Sequence, residues 1–218
     1  MNYRFSRLSN LLFVSLILSF ISCASTSETP QTPEDRASQE LRSKWADELS
    51  HVDRLENVDM EKVQAIPPLT VSFDNLVFNS FAMTEDFKRD YPNDLKQFET
   101  SMMDHLKLTK AYENVSKKSA TPYPGKTVYI EGKILDMRIA GESARFWGGA
   151  LAGTSFMNVY IELTDASTEE IIHQKIVTTQ GNPMAAAWSF GATDRNLSSD
   201  LGKIVGEYLF TIIPSSQE

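Results

Sequence analysis

The chain has 218 residues, 41% of them hydrophobic and 23% charged, close to the make-up of an ordinary globular protein, so one domain with its own core is expected. Acidic residues outnumber basic ones 29 to 21, for a net charge of −8, and no Lys/Arg cluster is longer than Lys117-Lys118; nucleic acid is thereby excluded as a partner, because neutralising phosphates needs a basic surface. The single cysteine, Cys23, excludes an intramolecular disulfide, so the fold must stand on its core alone.

Arg4 and Arg7 give the chain a basic start, and residues 11–21 form an apolar run broken only by Ser15 and Ser19. A spanning helix needs about 20 apolar residues, so this shorter run predicts a cleaved signal peptide. Phe20-Ile21-Ser22-Cys23 closes it, and there the segment resembles a bacterial lipoprotein signal. The resemblance implies that residues 1–22 are removed and that Cys23 is lipidated as the first residue of the mature chain. Several acyl chains on one residue hold a protein at a membrane, whereas one chain binds only marginally. Phe20 departs from the leucine usual at its position, and Ala24, where an aspartate would be the departure from export, implies an outer-membrane anchor facing the periplasm. A catalytic thiol would need a histidine base, and a place at the edge of a signal peptide argues against one. A cysteine without a role, with cleavage elsewhere, is the other alternative. Removing residues 1–22 takes away two arginines and no acid, leaving 19 basic against 29 acidic residues and a net charge of −10.

Residues 23–34, small, polar and proline-bearing, are expected to be a disordered tether. Residues 35–62 are expected to be an amphipathic helical segment: Leu41, Trp45, Leu49, Val52 and Leu55 recur at spacings of four, four, three and three. That stripe either packs on its own domain or docks a partner through Trp45, and two heptads are too few for a coiled coil.

Pro67-Pro68 precedes an α+β domain expected over residues 66–213. Residues 69–73 alternate apolar and polar and predict the first strand. Phe87, Tyr91, Leu95, Phe98, Met102 and Leu106 keep a helical period, and Pro92 places the start of the main helix near itself, with its end near Leu108. His105 sits beside that stripe as a boundary residue. A short strand is a candidate over residues 111–116. Residues 127–138 are β-branched and aromatic with Gly132 in the middle, which predicts a strand with a bend. Residues 156–179 read as a hairpin turning at Asp165-Ala-Ser-Thr168. A last helix, with Asp194 as candidate N-cap and Pro214 as its stop, carries Leu197, Leu201, Ile204, Val205, Leu209 and Ile212 on one face. This order predicts a mainly antiparallel sheet of four to five strands with two helices packed on one face.

Between strands lies GESARFWGGALAGTS, residues 141–155. A phosphate loop needs glycines at set offsets, a following helix and a lysine; this stretch has no lysine after its glycines and leads into a strand. Nucleotide binding is not expected. The strand with Gly132, then Gly141-x-x-Ala144-Arg145, Gly148-Gly149, Ala152-Gly153, a period-two strand and Asp165-Ala166 at a hairpin tip resemble a family of bacterial lipoprotein domains, domain of unknown function 4410, over about residues 65–212. Arg145 with its flanking glycines is the most specific part. Glu169 departs from the glycine usual at that tip, which leaves the turn type open. In element order the chain is also similar to periplasmic α+β modules of the outer-membrane secretion and Tol-associated type, a likeness that does not fix function.

Phe146 and Trp147 place two large rings among small residues, and Trp188 and Phe190 repeat that chemistry in residues 185–191. Either both loops fold back on the sheet end, or the four rings form a patch that binds another envelope protein or lipid. Arg145 either caps carbonyls or pairs an acid, or contacts an anion. His51, His105 and His173 show no zinc-type spacing, and no G-x-S-x-G occurs. Asp136, Asp165 and His173 could meet across neighbouring strands, which keeps a periplasmic hydrolase as a minor alternative. The expectation is a non-enzymatic, lipid-anchored envelope protein without cofactor or metal, acting as a binding or assembly module whose partner is another envelope protein or a second copy. Its alternative is a subunit of an oligomeric outer-membrane export or pore assembly.

Overall fold

A computed structural model describes residues 32–56, 58, 60–118, 123–139, 154–180 and 196–216 of the chain, all within the unit Thr32–Glu218. The signal peptide, Cys23 and the tether up to residue 31 lie outside the described residues. So do residues 140–153 and 181–195, which hold Arg145, Phe146, Trp147, Trp188 and Phe190. No helix among the described residues is long and apolar enough to cross a membrane.

Thr32 opens the first helix, α1 (Pro33–Glu48), through a reciprocal cap: its hydroxyl accepts from the Asp35 N–H at 3.1 Å and its own N–H donates to the Asp35 carboxylate at 3.0 Å. Proline at the first helical position suits a site whose N–H has no partner anyway. The helical segment expected over residues 35–62 is not continuous. It ends at Glu48; Leu49 and Val52 then turn inward, and Arg54–Leu55 form a short strand, β1, before a second helix, α2 (Met60–Gln64). Tertiary pairing overrides the period here, because β1 lies parallel to a later strand with Arg54 opposite Ile176.

After α2 come β2 (Asn75–Phe78), α3 (Glu85–Asp90), α4 (Asp94–Thr109), β3 (Asn114–Lys117), β4 (Thr127–Arg138), β5 (Phe156–Asp165), β6 (Ile171–Gln180) and α5 (Leu197–Ile212). The fold is α+β, with a mixed sheet of six strands in the order β1-β6-β5-β4-β2-β3. The expected mainly antiparallel sheet of four to five strands is met in its antiparallel centre, and the sheet is one strand larger and mixed at its edges. The antiparallel meander β4–β5–β6 supplies most of the pairing, and β1, β2 and β3 are added in parallel. The strand expected over residues 69–73 forms only an isolated bridge, Phe73 to Ser215. The true strand is β2, whose four residues are all buried. A parallel strand lying between two others is covered on both faces and shows no alternation.

One face of the sheet and the pair α4 and α5 share the main core, built from Ile130, Ile134 and Ile161 below and from Phe98, Met102, Leu201 and Val205 above. Ser198 on α5 donates to Asp94 on α4 at 2.6 Å and Glu207 meets His105 at 2.9 Å, so the two helices run parallel. Gly202 and Gly206 let them touch backbone to backbone: a Cβ at Gly202 would stand 2.4 Å from the Phe98 carbonyl oxygen. Gly132 is likewise a close approach, under the Phe81 ring; the register irregularity in β4 lies two residues on, between Ile134 and Asp136. The opposite face carries a smaller cluster of Leu49, Val52, Tyr160 and Ile176, covered by the end of α1.

Buried polar groups are tied to the strand ends. Asn75 donates to the Pro124 carbonyl at 2.7 Å and accepts from Asn114 at 2.7 Å, joining β2, β3 and the start of β4. Glu99, 6% exposed, accepts from the Phe81 N–H at 2.9 Å, the Ser80 hydroxyl at 3.0 Å and the Lys117 ammonium at 2.6 Å. A buried carboxylate is tolerated when it is satisfied in this way.

Candidate functional site

Two features of the described residues meet at one end of the sheet. The first is the pair of roots from which residues 140–153 and 181–195 depart. Arg138 lies opposite Phe156, and Phe156 lies opposite Gln180, so the segments carrying Arg145, Phe146 and Trp147 and carrying Trp188 and Phe190 leave from neighbouring strand ends. Those five residues are themselves outside the described part of the chain. The signal for this adjacency was in the sequence, as the hairpin register that follows from a turn at Asp165.

The second feature is a cleft of about 440 Å³ between α1 and the second face of the sheet. Trp45 marks its neighbourhood: the ring is 7% exposed and lies 5.7 Å from the Lys133 ammonium on β4, so it is taken up by its own domain. Arg42, on the same helix, reaches α3, where its guanidinium bonds Asp86 at 2.5 Å and Thr84 at 3.3 Å and lies 4.8 Å from the centre of the Phe87 ring. Ser38 accepts from the Asp86 N–H at 3.3 Å, and Arg89 bonds Asp35 at 3.0 Å. These contacts tie α1 to α3 beside the cleft.

Its other wall is the strand row next to the loop roots, where Asp136 stands directly opposite Asn158. Burial pushes the Asp136 carboxyl above its ordinary value and the nearby Asp86 charge adds to this, while the Met137 N–H and the charge of Arg42 pull the other way. Burial acts in the same direction on Asp86, but its hydrogen bonds to Thr84 and Arg42 and the guanidinium charge outweigh it, and its carboxyl is held below the ordinary value. Asn158 Oδ1 is shielded from solvent and has no hydrogen-bond partner. Leu49, Leu135 and Ile176 supply the apolar part of the lining, and Arg54 on β1 supplies a guanidinium. None of the pairings across this cleft was readable from the sequence, since Arg42 and Asp86 are 44 residues apart.

The hydrolase constellation does not assemble. Asp165 opposes Val128 and His173 opposes Leu163, which in turn opposes Ile130. Asp136 is six residues further along β4, about 20 Å away at the rise of an extended strand. His173 instead meets the buried Tyr208 hydroxyl at 2.5 Å, and burial, with help from Lys175, pushes its pKa below the ordinary histidine value. Among the described residues no group of three His, Cys, Asp or Glu side chains could hold a metal ion.

No family model matches the chain, that of domain of unknown function 4410 included, and no curated protein matches it. Among solved structures it is similar to the PelC dodecamer protein of Paraburkholderia phytofirmans, at 15% identity over 65% of this chain and 94% of that chain, with a TM-score of 0.42. A Xanthomonas campestris protein of the DUF330 family is 11% identical over 73% of this chain and 93% of its own, with a TM-score of 0.35. A Caulobacter crescentus protein named provisionally as a lipoprotein is 14% identical over 61% of this chain and 90% of its own, with a TM-score of 0.28. At these identities and TM-scores the likeness is loose and carries no assignment of role.

Proposed function

We propose that the chain is a lipid-anchored protein of the bacterial envelope, held at the outer membrane through Cys23 and facing the periplasm, whose α+β domain is a non-enzymatic binding or assembly module. The observation that carries the anchor is the apolar run of residues 11–21 closing on Cys23, the sole cysteine. The helical domain opens at Thr32, so fewer than ten residues separate the lipidated position from the first cap, and the domain stays close to the membrane surface. For the binding role, the support is the shared root of the two aromatic segments beside a polar cleft. Phe146, Trp147, Trp188 and Phe190 then form the contact with another envelope protein or a second copy, and Arg145 steers it.

Fractionation of cells after labelling with a lipid precursor tests the anchor. Wild type should carry the label and sediment with outer membranes, and Cys23→Ala should lose both. Crosslinking in the same cells should capture a partner with wild type and lose it with the pair Trp147→Ala and Trp188→Ala while the domain stays folded. Capture unchanged in that variant overturns the docking role of the aromatic segments.

A further inference from the structure

We infer that the cleft between α1 and the second face of the sheet binds a small zwitterion with an apolar body, of the size of an amino acid or a dipeptide. This deepens the binding role proposed above and rests on that reading, but it does not depend on the lipid anchor.

Asp136 is exposed on the cleft wall, and the guanidinium whose charge acts on it, Arg42, is already bonded to Asp86 and Thr84. A carboxylate that lines a cleft suits a cation that brings its own N–H donors. Directly opposite stands Asn158, whose shielded Oδ1 lacks a donor. Rotation about its terminal torsion exchanges oxygen and nitrogen, so the amide can turn its acceptor toward a ligand. Asp136 and Asn158 together therefore suit an ammonium group.

Across the cleft, Arg54 is exposed and has no ion pair among the described residues. A planar guanidinium takes a carboxylate through two parallel hydrogen bonds. Between the two charged ends lie Leu49, Leu135 and Ile176, which offer an apolar floor to an alkyl side chain. The volume of about 440 Å³ is within the range of small-molecule sites. A polyphosphate fits poorly, because the cleft has one uncommitted guanidinium and a carboxylate that would repel it.

Calorimetric titration of the full-length chain in detergent with L-leucine, with leucyl-leucine and with N-acetyl-leucine amide tests the assignment. The account expects binding of one or both zwitterions at one site per chain and at least about tenfold weaker binding of the blocked, uncharged analogue. Arg54→Ala and Asp136→Asn should each weaken the zwitterion by about tenfold or more while circular dichroism and the unfolding midpoint show a folded domain. Tighter leucine points to a free amino acid, and tighter leucyl-leucine points to a peptide. Equal affinity for the blocked analogue, unchanged affinity in both variants, or no heat with any probe at millimolar concentration overturns the inference. A chain that fails these titrations but carries lipid on Cys23 loses only the cleft, whereas one that passes them without lipid loses only the anchor.

Discussion

The contact of α4 with α5 can be broken by a single methyl group. Replacing Gly202 by alanine places a Cβ 2.4 Å from the Phe98 carbonyl oxygen and 2.9 Å from the Ser101 Cβ, and the first of these is rigid backbone. An ordinary contact to that oxygen is near 3.4 Å, so the helices must part by close to 1 Å at this point. A gap of that size forfeits a quarter to a half of the dispersion well for each contact it opens, and overpacking strain in a core is about 1–3 kcal/mol. Alanine also favours a helix over glycine by about 1 kcal/mol, which offsets part of the loss. With about 3 kcal/mol lost against that gain, Gly202→Ala is expected to destabilise by about 2 kcal/mol, or a midpoint about 4–8 °C lower for a domain of this size. Gly206→Ala should be milder, because its nearest neighbour is the His105 Cβ at 2.9 Å and the Met102 oxygen lies at 3.0 Å. Thermal melts followed by circular dichroism read both. A Gly202→Ala midpoint at or above that of wild type would mean that helix propensity outweighs the contact and would refute the packing argument.

Three further outcomes are expected. Glu169 holds a left-handed conformation, φ 58°, at the β5–β6 turn; glycine relieves a strain of about 1 kcal/mol and gives back about half of it in unfolded-chain entropy, so Glu169→Gly should gain about 0.5 kcal/mol in urea melts, and a loss contradicts this. His173 has a lowered pKa in the folded domain, so between that value and 6.5 the unfolded chain binds the extra proton: stability should fall as pH drops below 6.5, and His173→Gln should flatten this dependence in urea midpoints. Identical slopes for the two proteins contradict it. Trp45→Ala empties a buried ring site against the sheet and should cost about 3 kcal/mol with faster proteolysis after α1; a wild-type midpoint would show that α1 adds nothing to the fold.

The elements that were legible in the sequence are those with one buried face. β4 is legible at its full extent, Thr127–Arg138, from its β-branched and aromatic content, and the β5–β6 hairpin to within a residue from the alternation of β5 and the turn at Asp165. Pro92 marks the start of α4 and Pro214 the end of α5, whereas the short α3 before Pro92 was not expected as a separate helix. β2 was missed because burial on both faces erases its period, and β1 because two residues carry no period at all. The run from Leu41 to Leu55 kept a helical spacing beyond the helix itself, since Leu49 and Val52 stay on one side through a turn that a spacing cannot tell from a helix. Of the candidate site, the common root of the aromatic segments follows from hairpin register. The cleft does not, because Arg42, Asp86, Asp136 and Asn158 come from four separate elements or connections.

The central claim is an anchor at Cys23, and the most direct measurement of it is the intact mass and N-terminal residue of the mature chain recovered from membranes. The account expects a chain that begins at Cys23 and carries the added mass of acyl groups, absent from Cys23→Ala. An unmodified chain, or one that begins elsewhere and is recovered free of membranes, contradicts it.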